Sequence, residues 1–93
     1  MSKCCIFGLG YIGLPTAAII ANNGHKVHGV EINLEIINLV NDGKTNISEP
    51  GLSEVLKNAV YQGNFTAGKD PVESDIFIIT VPTPFLKNEN NEI

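Results

Sequence analysis

The sequence predicts an α/β fold: a parallel sheet with helices on both faces, in partial form. Three features of the chain point there. A short apolar run, Cys4-Cys5-Ile6-Phe7, ends at a glycine turn and passes at once into a helical pattern. Strand and helix patterns then alternate, with crossovers long enough for parallel pairing. A late run, Asp75 to Val81, is almost continuously apolar, the mark of a strand buried on both faces.

Lys3 to Gly8 reads as the first strand, closed by glycine. A helix is expected from Gly13 to Asn23, with Leu14, Ala17, Ala18, Ile20 and Ala21 as its apolar residues. Small side chains let it lie close on a sheet, and Pro15 falls in the first turn, where a missing N–H costs nothing. Gly24 is the expected left-handed stop. Lys26 to Ile32 is the second strand, in which Val27 and Gly29 alternate with His28 and Val30. Asn33 suits the N-cap of a helix running to Asn41, with Ile36, Ile37 and Val40 on one face.

A polar connection leads to Pro50, which opens a third helix. Leu52, Val55, Leu56, Ala59 and Val60 recur there at i, i+3, i+4, i+7 spacing. Phe65-Thr66-Ala67 is a brief strand, Asp70 to Ser74 a candidate helical turn, and Asp75 to Val81 the fourth strand, ended by Pro82-Thr83-Pro84. The tail from Phe85 to Ile93 is polar and without period.

The chain has 93 residues, room for one small domain. Its net charge of −4, without a Lys/Arg run, speaks against a nucleic-acid partner. No apolar stretch is long enough to span a membrane, and the N-terminus has no apolar secretion signal, so the expected location is cytoplasmic. Cys4 and Cys5 are adjacent and read as buried strand residues on opposite faces, in a reducing compartment. His25 and His28 lack the further ligands of a metal site, and no metal is expected. There is no G-K-[ST] step and no G-x-S-x-G elbow.

Gly8-Leu9-Gly10-Tyr11-Ile12-Gly13 is a G-x-G-x-x-G run in the strand–turn–helix setting that gives it meaning. Gly8 permits the tight turn, Gly10 lets a pyrophosphate approach the backbone, and Gly13 allows close helix–strand packing. The helix N-terminus adds free N–H groups and the positive end of its dipole. Glu31, at the end of the second strand, can accept hydrogen bonds from the adenosine ribose hydroxyls and would repel a 2′-phosphate. The expected cofactor is therefore NAD rather than NADP, in a Rossmann-like domain. Thr83 lies where ligands bind such sheets. It is either a donor to the nicotinamide half or a plain loop hydroxyl.

The segments Gly8 to Pro15, Gly29 to Asn33, Glu49 to Leu52 and Val81 to Pro84 have the order and spacing of one known family. The chain resembles the N-terminal NAD-binding domain of the UDP-glucose/GDP-mannose dehydrogenases over essentially its whole length. Asp70 to Phe85 is most similar to the branch acting on UDP-N-acetyl-D-mannosamine. The resemblance implies oxidation of a nucleotide-sugar C6 alcohol to a carboxylate, in two steps through a cysteine thiohemiacetal, with two NAD+ reduced. It implies that Gly8, Gly10, Tyr11, Ile12 and Gly13 cradle the pyrophosphate. Glu31, where many members have Asp, would hold the ribose, and Thr83 would reach NAD near the nicotinamide. Ile36 stands where many members carry Lys or Arg.

The resemblance also implies that residues 1–84 are the first part of the cofactor domain and 85–93 an irregular tail. Family members run to several hundred residues, and their catalytic cysteine, its lysine and the sugar-binding residues would lie beyond Ile93. Cys4 and Cys5 do not match that cysteine. The expectation is that this chain carries no catalytic residue and that the UDP-sugar is a partner only of the longer enzyme. Self-association through the fourth strand is expected. A stand-alone nucleotide-binding or regulatory module, a remnant that binds nothing, and a UDP-glucose 6-dehydrogenase piece are the alternative readings.

Overall fold

A computed structural model describes residues 2–80. The elements run β1 (Lys3–Phe7), α1 (Gly13–Asn22), β2 (Lys26–Val30), α2 (Leu34–Asn41), α3 (Leu52–Tyr61), β3 (Phe65–Gly68) and β4 (Ile76–Ile79). The four strands form one parallel sheet in the order β3-β2-β1-β4. This is the α/β arrangement expected from the sequence, with the same succession of strands and helices. The segments Pro82-Thr83-Pro84 and Phe85 to Ile93 lie outside the described residues.

Register decides which strand residues meet the helices. Cys4 pairs with Val27, and Val27 with Phe65; Ile6 pairs with Gly29, and Gly29 with Ala67. These rows share one face, because side chains alternate along a strand. Cys4, Ile6, Val27, Phe65 and Ala67 form one core with Leu14, Ala17, Ala18 and Ala21 of α1, Ile37 and Val40 of α2, and Leu52, Leu56 and Ala59 of α3. The fully buried alanines let α1 lie close against its neighbours. Helices were expected on both faces; among the described residues, all three lie on this one.

The opposite face carries Cys5, Phe7, His28, Val30, Thr66, Phe77 and Ile79. Among the described residues it is crossed only by the connection from β3 to β4. His28 ties that connection down, with Nδ1 2.9 Å from the Thr66 hydroxyl and Nε2 3.0 Å from the Asp70 carbonyl oxygen. A carbonyl only accepts, so Nε2 carries the proton there.

Asp70 to Ser74 was expected to make a helical turn and does not. The connection must pass from the C-terminal end of β3 to the N-terminal start of β4. That is about 14 Å across three strand spacings and about 13 Å back along the strands. A helical turn rises only about 1.5 Å per residue, too short for that reach. The Asp75 N–H instead donates to Lys3 O at 2.9 Å, and the Lys3 N–H to the Asp75 carboxylate at 3.0 Å.

β4 also departs from expectation. Its apolar run predicted burial on both faces, but Ile76, Phe77 and Ile79 are exposed. Among the described residues β4 is an edge strand, bonded to β1 alone, and of its residues only Ile78 packs against the core. Two shorter corrections concern element ends. β2 stops at Val30, so Glu31 stands just past it, and α3 begins at Leu52 after a left-handed Gly51 rather than at Pro50.

Candidate functional site at the glycine turn

The turn after β1 sits at the C-terminal edge of the sheet, where the ends of β1, β2 and β4 converge. Gly8 has φ +99°, a conformation that L side chains rarely adopt. A Cβ there would run into the Thr80 backbone carbonyl. A Cβ on Gly13 would overlap the Gly8 carbonyl and the Thr80 hydroxyl. Both glycines are thus required by close packing of α1, β1 and β4.

Gly10 differs. Among the described residues nothing lies within 4 Å of where its Cβ would be, so their packing does not require glycine here. The space is open toward solvent beside the start of α1, so a bound group could approach the backbone there. α1 has no side-chain cap at its N-cap residue Ile12 and no acidic residue in its first turn. Among the described residues the amides of Tyr11, Ile12 and Gly13 have no partner, while Leu14 already donates to Gly10 O at 3.0 Å. α2 is the internal contrast: Asn33 Oδ1 accepts from Glu35 N at 2.9 Å and Ile36 N at 3.4 Å. One helix start is closed by its own side chain; the other is left open to an anion.

Glu31 joins these two starts. Its Oε1 accepts from Leu9 N at 2.9 Å and its Oε2 from Asn33 N at 3.0 Å. Both oxygens are oriented by backbone amides, and each keeps a free lone pair that could receive a hydroxyl. Tyr11 (78% exposed), Ile12 (70%) and Ile32 (86%) form an apolar rim around the turn.

The structure brings Gly8, Gly10, Tyr11, Ile12, Gly13 and Glu31 to one place. Thr83 lies outside the described residues. Three participants were not singled out from the sequence. Leu9 is fully buried and packs over Gly29, where a Cβ would strike its side chain; this plugs the turn into the core. Thr80 bonds the turn from the side of β4. Gly29 carried a signal, being a glycine inside an apolar strand, which marks close approach of a neighbour. Leu9 and Thr80 carried none.

Ile36 lies on the inner side of the turn. With Gly10, Tyr11, Lys44 and Ile47 it lines a cavity of about 200 Å³ between α1, α2 and the following loop. Burial, with Cys5 adding to it, pushes the Cys4 thiol up, so it is no activated nucleophile. Among the described residues no group of three or more His, Cys, Asp or Glu could hold a metal, and no helix is long and apolar enough to cross a membrane.

Residues 2–93 match the family described as the UDP-glucose/GDP-mannose dehydrogenase family, NAD binding domain. A UDP-N-acetyl-D-mannosamine dehydrogenase of Campylobacter jejuni is 52% identical over 91 residues, covering 98% of this chain and 22% of the relative. One from Methanococcus maripaludis is 46% identical over 97% of this chain and 21% of its own length. The UDP-N-acetyl-mannosamine dehydrogenase structure from Staphylococcus aureus superposes with TM-score 0.85 at 46% identity, over 89% of this chain and 20% of that one. A ternary complex of GDP-mannose dehydrogenase from Pseudomonas aeruginosa gives TM-score 0.86 at 38% identity, over 91% and 20%. The chain thus spans about a fifth of the length of the relatives it matches.

Proposed function

Because the chain belongs to the UDP-glucose/GDP-mannose dehydrogenase family, we propose that it is the cofactor-holding part of an NAD-dependent nucleotide-sugar 6-dehydrogenase. The substrate we propose is UDP-N-acetyl-D-mannosamine, oxidised to the uronate with two NAD+ reduced. Identities of 46% and 52% to dehydrogenases of that substrate favour it over UDP-glucose. The catalytic residues and the sugar site belong, on this reading, to the remainder of the longer enzyme. Its setting would be cytoplasmic, supplying an acidic nucleotide sugar for polysaccharide assembly.

The observation that carries the cofactor role is the open space at Gly10, beside three amides without a partner among the described residues and a carboxylate already aimed by two others. These residues fit a dinucleotide. The amides of Tyr11, Ile12 and Gly13 would hold the pyrophosphate, the Glu31 carboxylate the adenosine ribose, and Thr83 the nicotinamide side. When bound, NAD supplies the hydride acceptor; the chain supplies position and charge. Glu31 sets the choice between cofactors, since its carboxylate would face a 2′-phosphate at close range.

Isothermal titration of the 93-residue chain with NAD+ and NADP+ tests the reading. NAD+ should bind at least about tenfold more tightly than NADP+, and Glu31→Gln should narrow that ratio. Absence of NAD+ binding at millimolar concentration would sink the cofactor role. The substrate is tested separately, by supplying UDP-N-acetyl-D-mannosamine and UDP-glucose to an enzyme that includes this chain. Self-association through β4 is part of the same proposal, supported by the exposure of Phe77 and Ile79.

A further inference from the structure

We propose that Thr80 is a positioning residue for the dinucleotide site, acting by clamping the peptide unit between Gly8 and Leu9. The Thr80 hydroxyl lies 3.0 Å from the Gly8 carbonyl oxygen and 3.1 Å from that of Phe7. Its backbone N–H donates to Phe7 O at 2.8 Å. That N–H already serves Phe7, so the single hydroxyl proton is the only donor Thr80 has for Gly8 O.

The other end of the same peptide is held too. The Leu9 N–H donates to Glu31 Oε1 at 2.9 Å. The carbonyl is thus fixed from the end of β4 and the amide from just past β2. Gly8 sits at φ +99°, where glycine has unusual freedom, so its conformation must be imposed by neighbours. A rotation of this peptide would break both side-chain bonds together. It would also turn the Gly8 carbonyl oxygen to the side where the Leu9 N–H now meets Glu31, setting it against the carboxylate that the site uses.

Thr80 further sets the distance between α1 and β1. The Gly13 Cα faces the Thr80 hydroxyl and the Gly8 carbonyl so closely that no Cβ fits between them. The start of the helix is therefore indexed against the bonded pair. Glu31 has a direct role in the proposed site; Thr80 touches only the turn and acts through it.

This inference rests on the dinucleotide reading of the turn. Thr80→Val keeps the shape and removes the hydroxyl, and Thr80→Ser keeps the hydroxyl. With NAD+ titrated calorimetrically, the valine variant should bind about five- to tenfold more weakly, the loss of one hydrogen bond. The serine variant should stay within about twofold of wild type. Amide hydrogen exchange of the free proteins gives the local readout: Leu9 and Leu14 should exchange faster in the valine variant, while Ala67 on β3 is unchanged. A valine variant that binds NAD+ as wild type does, or exchanges faster throughout the sheet, overturns the clamp. A wild-type chain that does not bind NAD+ overturns the underlying cofactor reading instead.

Discussion

The two edges of the sheet are finished to different degrees. At the β3 edge the free backbone of Ala67 is answered by a side chain: Asn41 Nδ2 donates to Ala67 O at 3.0 Å, and Ala67 N donates to Asn41 Oδ1 at 2.9 Å. The Asn41 amide takes the place of a neighbouring strand at that point, and Phe65 and Ala67 are buried beneath α2 and α3. At the β4 edge no side chain or helix plays that part among the described residues, and Ile79 is 72% exposed. A parallel strand this apolar is stable when both faces are covered. Among the described residues one edge is thus covered, while the other presents an apolar strand with a free side. Thr80, which holds the glycine turn, extends from the unfinished side.

Equal truncations on the two sides measure that difference most directly. Leu56 is fully buried in α3, behind the covered edge. Leu56→Ala should cost about 3 kcal/mol, from lost transfer energy and the cavity left behind. Ile79→Ala removes the same number of carbons from an exposed site and should change stability by no more than about 0.5 kcal/mol. Urea unfolding at low protein concentration reads both. A cost at Ile79 approaching that at Leu56 would mean that β4 is covered in solution.

Next in size is the cap itself. Asn41→Leu removes both bonds to Ala67 and leaves an N–H and a C=O unanswered beside an apolar side chain. The expected loss is about 2 kcal/mol. It should be accompanied by concentration-dependent association, because the β3 edge then resembles the β4 edge. Stability unchanged in the leucine variant would show that water replaces the Asn41 amide without penalty.

The same asymmetry explains what could be read from the chain in advance. On the finished side, local rules agree with one another. Asn33 caps α2, the face of Leu52, Leu56 and Ala59 meets the core, and Gly24 and Gly63 stop their helices with positive φ. The glycine turn and Glu31 were legible because a fixed spacing encodes a fixed geometry. On the open side the apolar pattern of β4 reports an environment that these residues do not themselves supply, so burial was over-read there. The extended path of residues 69–75 followed from sheet order, which a local motif such as Asp70-Pro71 cannot reveal. Thr80 and Leu9 were missed for the same reason: their partners are distant in sequence and become neighbours only when β4 and β2 flank β1.

The smallest effect on folding is expected where the effect on assembly is greatest. Phe77 and Ile79 lie on the open face beside the free edge, and Phe77 packs its ring against Phe7 at a centroid distance of 6.3 Å. Replacing both by lysine puts two positive charges on a strand that has no outer neighbour among the described residues. Lysine is a common means of blocking edge pairing, since joining two such strands would bring like charges together away from water. Folding stability should fall by no more than about 1 kcal/mol, mainly from the lost contact between the rings. Sedimentation velocity over rising concentration should show association for the wild-type chain and a monomer for Phe77→Lys/Ile79→Lys. The charge should matter more than the lost area, so Phe77→Ala/Ile79→Ala should fall between the two. A wild-type chain that stays monomeric at high concentration would mean that exposure of β4 does not by itself drive pairing, and that the two edges differ in packing but not in adhesiveness.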